Sequence, residues 1–236
     1  MTTPGQLPRI LAFDVFGTVA DWHTSVAREV ESLGLGVDGA DFARAWRAEY
    51  KPAMARVRSG ELGWTRIDDL HRMNLDEVLA RYDVALDETT CHALNRIWHR
   101  LDPWPDTVEG LTRLKTRFTL CTLSNGNLGL LADMAKHAGM PWDLILSAEV
   151  FRHYKPDRQT YLGVADIFDA DPAEVMMVAA HQSDLDAARE CGLKTAYIER
   201  VHEFGADRPK DVTGSEHNDF HAADLIDLAR QLDCTS

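Results

Sequence analysis

Arg9-Ile10-Leu11-Ala12-Phe13-Asp14-Val15-Phe16-Gly17-Thr18 is the stretch on which the fold turns. An uninterrupted apolar run leads into an aspartate, and a glycine closes the segment. So short a run, bounded by a glycine, reads as a buried strand, since helices need more residues to build a face. Similar runs recur at Phe118 to Leu123, Leu144 to Leu146, Val175 to Ala180 and Thr195 to Ile198. Between them lie stretches with helical spacing: Thr107 to Arg117, Leu128 to His137, Arg158 to Phe168 and Leu185 to Cys191. Strands alternating with helices predict an α/β fold, a Rossmann-like parallel sheet covered on both faces.

The segment from Asp21 to Leu101 reads differently. Apolar residues recur at helical spacing (Val26, Val30, Leu33; Phe42, Trp46, Tyr50; Leu70, Met73, Leu79) with no strand run among them. An α-helical cap domain inserted after the first strand is the economical interpretation. The expected division is a core of residues 1–20 and 102–236 with a cap of 21–101. Asp102-Pro103-Trp104-Pro105-Asp106 punctuates the return, with Pro105-Asp106 as a helix start. The first nine residues, with two prolines and a glycine, read as a tail. In open α/β sheets ligands bind beyond the carboxyl ends of the strands, and a cap inserted there would cover that crevice and exclude water.

Composition narrows the function classes. The chain has 236 residues, 45% of them apolar, enough for a sizeable core. Its formal net charge of −13 argues against nucleic acid as a partner, because phosphate contacts need clustered Lys and Arg. An anionic ligand would then require a locally positive pocket. Cys91, Cys121, Cys191 and Cys234 are scattered and form no CxxC pair, so neither a zinc site nor a disulfide framework is expected. The sequence shows no signal-peptide-like stretch at its start and no run of transmembrane length; a cytoplasmic protein without a membrane role is the default expectation.

Four loops carry the chemistry. Asp14 ends the first strand at the ligand edge, where a carboxylate is costly unless something solvates or uses it. Gly17 permits a tight turn, and the amides that follow Asp14 could hold an anion. Ser124-Asn125 ends the next candidate core strand and faces the same crevice. Lys155-Pro156 stands at a helix start, an unfavourable place for a cation unless an anion lies opposite. Asp184 follows the Val175 to Ala180 run.

The order Asp14, Ser124-Asn125, Lys155, Asp184 resembles the haloacid dehalogenase (HAD) superfamily over essentially the whole chain. Phe13-Asp14-Val15-Phe16-Gly17-Thr18 and the stretch Ser147-Ala148-Glu149-Val150-Phe151-Arg152-His153-Tyr154-Lys155-Pro156-Asp157 resemble its type II 2-haloacid dehalogenases. HAD phosphatases carry a second aspartate two positions after the nucleophile, as general acid and support for Mg²⁺. Here Phe16 stands there, and a phenylalanine neither donates a proton nor binds a metal. The fourth motif, Val178-Ala179-Ala180-His181-Gln182-Ser183-Asp184, keeps one acid where phosphatases usually gather several. The resemblance therefore implies hydrolysis of small 2-haloalkanoic acids to 2-hydroxy acids, with no metal and no cofactor; a Mg²⁺-dependent phosphatase acting on a small phosphoester is the rival.

The resemblance implies these roles. Asp14 displaces halide from C2, and water then hydrolyses the aspartyl ester. Thr18 orients Asp14, and Lys155 keeps it ionised. Ser124 with the Val15 and Phe16 amides binds the substrate carboxylate. Asn125 and a cap arginine receive the halide ion; Arg56 is preferred to Arg58 by its spacing to Gly60. Asp184 and Lys155 steer the hydrolytic water, and Tyr161 contacts the site. Ala179 and His181 replace the serine and asparagine of the better-known type II pattern, and His181 is a candidate base for the second step. A tight pocket walled by Trp22 or Trp64 would suit fluoride, and so haloacetates including fluoroacetate. The family suggests the L enantiomer, reaction with inversion and, often, a homodimer.

Overall fold

Ile10–Phe13 form β1, and their alternation explains why the strand is buried on both faces: Leu11 and Phe13 enter one core cluster, Ile10 and Ala12 the other. The computed structural model describes residues 7–234; positions 1–6 of the expected tail lie outside the described residues. The remaining strands are β2 (Ala20–Asp21), β3 (Asp102–Pro103), β4 (Thr119–Ser124), β5 (Leu144–Ser147), β6 (Val175–Ala179), β7 (Lys194–Ile198) and β8 (Phe220–Ala222). Six of them make one parallel sheet in the order β5-β4-β1-β6-β7-β8. β1 lies between β4 and β6, so the carboxyl ends of these three strands open on one edge. The α/β reading and each expected core strand hold. The short edge strand β8 was not foreseen, because its few residues show no run.

Helices cover both faces. α6 (Thr107–Lys115), α7 (Leu128–Ala138) and α11 (Leu225–Gln231) pack on one side through Leu111, Leu131 and Leu228. α9 (Arg158–Ile167) and α10 (Gln182–Glu190) pack on the other through Tyr161, Val164 and Leu185. The short α8 (Ala148–Phe151) follows β5 directly. α10 opens at Gln182, earlier than its apolar residues suggest, because its first turn is polar. α9 opens at Arg158, so Lys155-Pro156 stand before the helix and not at its first residue.

The inserted segment is helical: α1 (Trp22–Ser32), α2 (Gly39–Ala48), α3 (Tyr50–Arg58), α4 (Ile67–Arg81) and α5 (Glu88–Asn95), then a 3-10 turn at Arg96–His99. Asp21, Asp38 and Asp87 cap α1, α2 and α5 by accepting from Thr24, Asp41 and Thr90 amides. The chain enters and leaves through the antiparallel ribbon of β2 and β3. The return is pinned to the turn after β1, where Trp104 Nε1 donates to Gly17 O at 3.2 Å and Thr107 Oγ1 to Val19 O at 2.8 Å. Arg200 reaches across to Asp106 with two bonds of 2.7 Å and also donates to Thr18 O at 2.9 Å. Cap and core meet again at Asp68, whose Oδ2 accepts from Asn127 Nδ2 at 2.9 Å while its backbone amide donates to Asn127 Oδ1 at 3.2 Å. Among the described residues no helix is long and apolar enough to cross a membrane.

Candidate active site

Asp14 leaves β1 in register, its amide donating to Val178 O at 3.0 Å. The chain then closes a tight turn in which the Thr18, Val19 and Ala20 amides all donate to Val15 O. Gly17 has φ +85°, and a Cβ there would run into the Glu203 carboxylate, so two separate constraints demand glycine. The Val15 and Phe16 amides have no hydrogen-bond partner among the described residues and remain free to receive an anion.

Asp14 is 7% exposed, and both carboxylate oxygens are occupied. Lys155 Nζ donates to Oδ1 at 2.9 Å, Thr18 Oγ1 donates to Oδ2 at 2.8 Å, and His181 Nδ1 lies 3.1 Å from Oδ2. Thr18 is fixed in turn by the Ala180 amide, 2.9 Å from its Oγ1. The Lys155 ammonium also reaches Asp184 Oδ2 at 2.5 Å, and Tyr161 donates to Asp184 Oδ1 at 2.5 Å. Burial works to raise the Asp14 pKa, but the Lys155 ammonium and His181 together hold it well below the usual carboxylate range. Burial would lower the Lys155 pKa, yet Asp14 and Asp184 hold it above its ordinary value. Asp184 goes the other way: burial and the Asp14 charge raise it against the pull of Lys155.

His181 spans two carboxylates. Its Nε2 lies 2.7 Å from Glu203 Oε1, and Glu203 is only 1% exposed. Lys210 Nζ donates to Glu203 Oε2 at 2.6 Å and to Ala180 O at 2.5 Å. Burial disfavours the imidazolium, but Glu203 and Asp14 raise the His181 pKa to about 9. Burial would raise Glu203, and His181 with Lys210 brings it down to about 2. The Asp14 and Glu203 carboxylates thus favour the protonated form of the His181 ring that lies between them. Sequence reasoning missed Glu203 and Lys210: they lie in the irregular segment after β7, with no motif around them.

A cavity of about 450 Å³ opens over Asp14. Phe16, Tyr50 and Met54 form its apolar wall; Asn125, Lys155, Tyr161, His181 and Asp184 line it from the core. The Phe16 ring meets Trp98 edge-on at 5.8 Å and so ties the turn after β1 to the cap. Asn125 Oδ1 accepts from the Lys155 amide at 2.8 Å, while its Nδ2 has only the sulfur of Met54 at 3.3 Å. Thr18 and Ser124 are wholly buried behind this lining; Ser124 Oγ accepts from the Gly126 amide at 3.1 Å. Among the described residues no group of three or more His, Cys, Asp or Glu side chains is arranged to hold a metal ion.

The preference for Arg56 is corrected. Arg56 bonds Glu61 at 2.7 Å, is 40% exposed and does not line the cavity. On α3, Tyr50, Met54 and Arg58 follow at helical spacing and share the cavity face, and a residue two positions from Arg58 points away. Arg58 lines the cavity and bonds Asp157 at 3.0 Å. Arg47, which sequence reasoning did not single out, stands deeper. Its guanidinium lies 4.0 Å from the centre of the Tyr50 ring and 5.8 Å from that of Phe16, and its Nη1 is buried with no hydrogen-bond partner among the described residues. Neither tryptophan walls this cavity: Trp22 packs against Trp98 and Phe204, and Trp64 lies against Tyr154.

A family model described as haloacid dehalogenase-like hydrolase matches residues 8–192. A solved L-2-haloacid dehalogenase is 46% identical with a TM-score of 0.91, covering 96% of this chain and 100% of its own. A solved defluorinating L-2-haloacid dehalogenase is 43% identical with a TM-score of 0.94, covering 99% of each chain. The (S)-2-haloacid dehalogenase 1 of Pseudomonas sp. (strain CBS-3) is 28% identical over 205 residues, 82% of this chain and 86% of that protein.

The raised pKa of His181 makes stability depend on pH. Its contribution is fully present below the unfolded value near 6.5 and is lost as pH rises through about 9. The melting-temperature difference between the parent and His181→Gln will therefore narrow as pH is raised from 6.5 past 9. A difference that stays constant over this range would mean that His181 is neutral throughout.

Proposed function

The chain belongs to the haloacid dehalogenase-like hydrolases, and within them to the 2-haloacid dehalogenases, enzymes that act on carbon–halide bonds; on that premise we propose that it converts L-2-haloalkanoic acids to 2-hydroxy acids through an ester on Asp14, without a metal. The observation that carries this reading is the Lys155 ammonium lying between Asp14 and Asp184, with Phe16 where a phosphatase would hold its acid. The place between the two carboxylates is filled by a cation the chain itself supplies. A halide leaves as a weakly basic anion and needs donors and positive charge, not a proton.

Residues 21–101 act as the cap over a core of 1–20 and 102–236. The substrate carboxylate is received by the free Val15 and Phe16 amides, while Ser124, buried behind the lining, fixes the turn after β4 by accepting from the Gly126 amide. Asp14 attacks C2 in line, the C–O bond forms and the carbon–halide bond breaks, inverting C2. The departing halide meets the unpartnered Nη1 of Arg47 and Asn125 Nδ2, which exchanges a weak sulfur acceptor for an anion. The compact wall of Phe16, Tyr50 and Met54 supports small substrates, fluoroacetate among them, in keeping with the likeness to a defluorinating enzyme.

Esterification removes the negative charge of Asp14, one of the two carboxylates that hold the His181 proton. The His181 pKa falls and the proton leaves, accounting for the one proton the overall reaction releases. Neutral His181, braced by Glu203, then takes a proton from water as its oxygen adds to the Asp14 carbonyl carbon. Collapse of the adduct returns that proton to the departing alkoxide, and the new Asp14 carboxyl passes its own proton to His181. Lys155 supports the oxyanion, and Asp184 with Tyr161 holds Lys155 in place.

Halide release from the separate enantiomers of 2-chloropropionate, from chloroacetate and from fluoroacetate, each with EDTA present, tests the function. L-2-chloropropionate and the haloacetates are expected to react and Asp14→Asn to be inactive. No release from any substrate would sink the dehalogenase reading; release lost with EDTA and turnover of an aryl phosphate with Mg²⁺ would favour the phosphatase. Arg47→Ala is expected to lower kcat about 10²–10³-fold, as for removal of a donor to developing charge, while Arg56→Ala stays within about twofold of the parent. Equal losses in the two variants would return Arg56 to the site.

A further inference from the structure

A second cavity, of about 540 Å³, lies on the far side of His181. It shares Arg47, Tyr50, Lys51 and His181 with the cavity over Asp14, so these side chains form the partition between the two spaces. The charge of its wall is out of keeping with the chain. In a protein of net charge −13, five arginine and lysine side chains line it, Arg44, Arg47, Lys51, Arg208 and Lys210, beside His181 and against the single carboxylate of Glu203. Glu203 is already engaged by His181 and Lys210. Arg44 is met from outside the lining by Asp41 at 2.6 Å and Asp207 at 3.3 Å. Arg208 has only long contacts, 3.5 Å to Asp41 and 3.9 Å to Asp207, and its side chain is 62% exposed. Arg47 and Lys51 have no acidic partner among the described residues.

The lining therefore carries uncompensated positive charge in a concave, partly enclosed space, the condition under which a field is focused and small anions concentrate. An acidic surface repels a carboxylate, and this cavity is where that repulsion is locally reversed. We propose that it is a second anion site, an outer station at which a small monoanion, the carboxylate of an incoming haloacid or a departing halide, is held before it passes Arg47 and His181. The identity of that anion rests on the dehalogenase reading; the site itself rests on the charge and shape of the cavity.

Arg208→Glu tests it, because Arg208 lines only this second cavity and is exposed enough to be replaced without disturbing the core. Arg9→Glu, the same change of charge beside Glu174 at the opposite edge of the sheet, is the control. At low ionic strength, ~10 mM, Arg208→Glu should lower kcat/KM on chloroacetate roughly threefold to tenfold, and the loss should close near ~500 mM, where screening is short-ranged. Arg208→Lys should restore the parent value, and Arg9→Glu should stay within about twofold of it at either salt. The ³⁵Cl linewidth of dilute chloride should be broadened by the parent and less so by Arg208→Glu. Arg208→Glu and Arg9→Glu behaving alike in kcat/KM would overturn the site. Should the parent release no halide from any haloacid, the dehalogenase reading fails by itself, and equal chloride broadening by parent and Arg208→Glu would overturn the anion site separately.

Discussion

The ammonium of Lys155 between the carboxylates of Asp14 and Asp184 is the contact on which the rest of the site depends. Each buried ion carries a desolvation cost of several kcal/mol, which is recovered only when partners are already in place and their remaining donors and acceptors are satisfied. The fold supplies that arrangement. Asp14 comes from the end of β1, Lys155 from the loop before α9, and Asp184 and Tyr161 from α10 and α9 on the same flank of the sheet. A parallel sheet brings its carboxyl ends to one edge, so residues distant in sequence meet without irregular backbone.

The same constraint explains how an acidic chain handles anionic ligands. Its carboxylates at the site are each tied to a cation, while Arg47 and Lys51 are left without acidic partners among the described residues on the cap side. Charge is thus segregated: negative overall, positive along the cap side of the two cavities. His181 links the two halves of the proposed cycle, since its proton is held by Asp14 and Glu203 together and is released when one of them is neutralised.

Much of this was legible before the structure. The apolar run into Asp14, the Ser124-Asn125 pair, Lys155 and Asp184 each end or follow a strand, and strand ends of a parallel sheet must converge. Phe16 was equally readable, because the side chain itself excludes proton donation. Arg47 was not found, although Trp46-Arg47 and Tyr50, Met54 and Arg58 stand at a spacing that puts them toward one another; distance to Gly60 drew attention to Arg56 instead. Which face of a cap helix meets the site is a tertiary fact, set by how α3 packs. Glu203 and Lys210 lay beyond reach for a different reason. They belong to a loop without periodicity, and only the fold reveals that Glu203 sits against Gly17 and behind His181.

The central claim is that Asp14 forms the new bond to carbon, and a single turnover in ¹⁸O-water tests it directly. With enzyme in excess over chloroacetate, the account predicts ¹⁸O in the carboxylate of Asp14 and ordinary oxygen in the hydroxyl of the product, because water attacks the ester carbonyl and not C2. Label in the product hydroxyl with none on Asp14 would mean that water displaces the halide itself, and would contradict it.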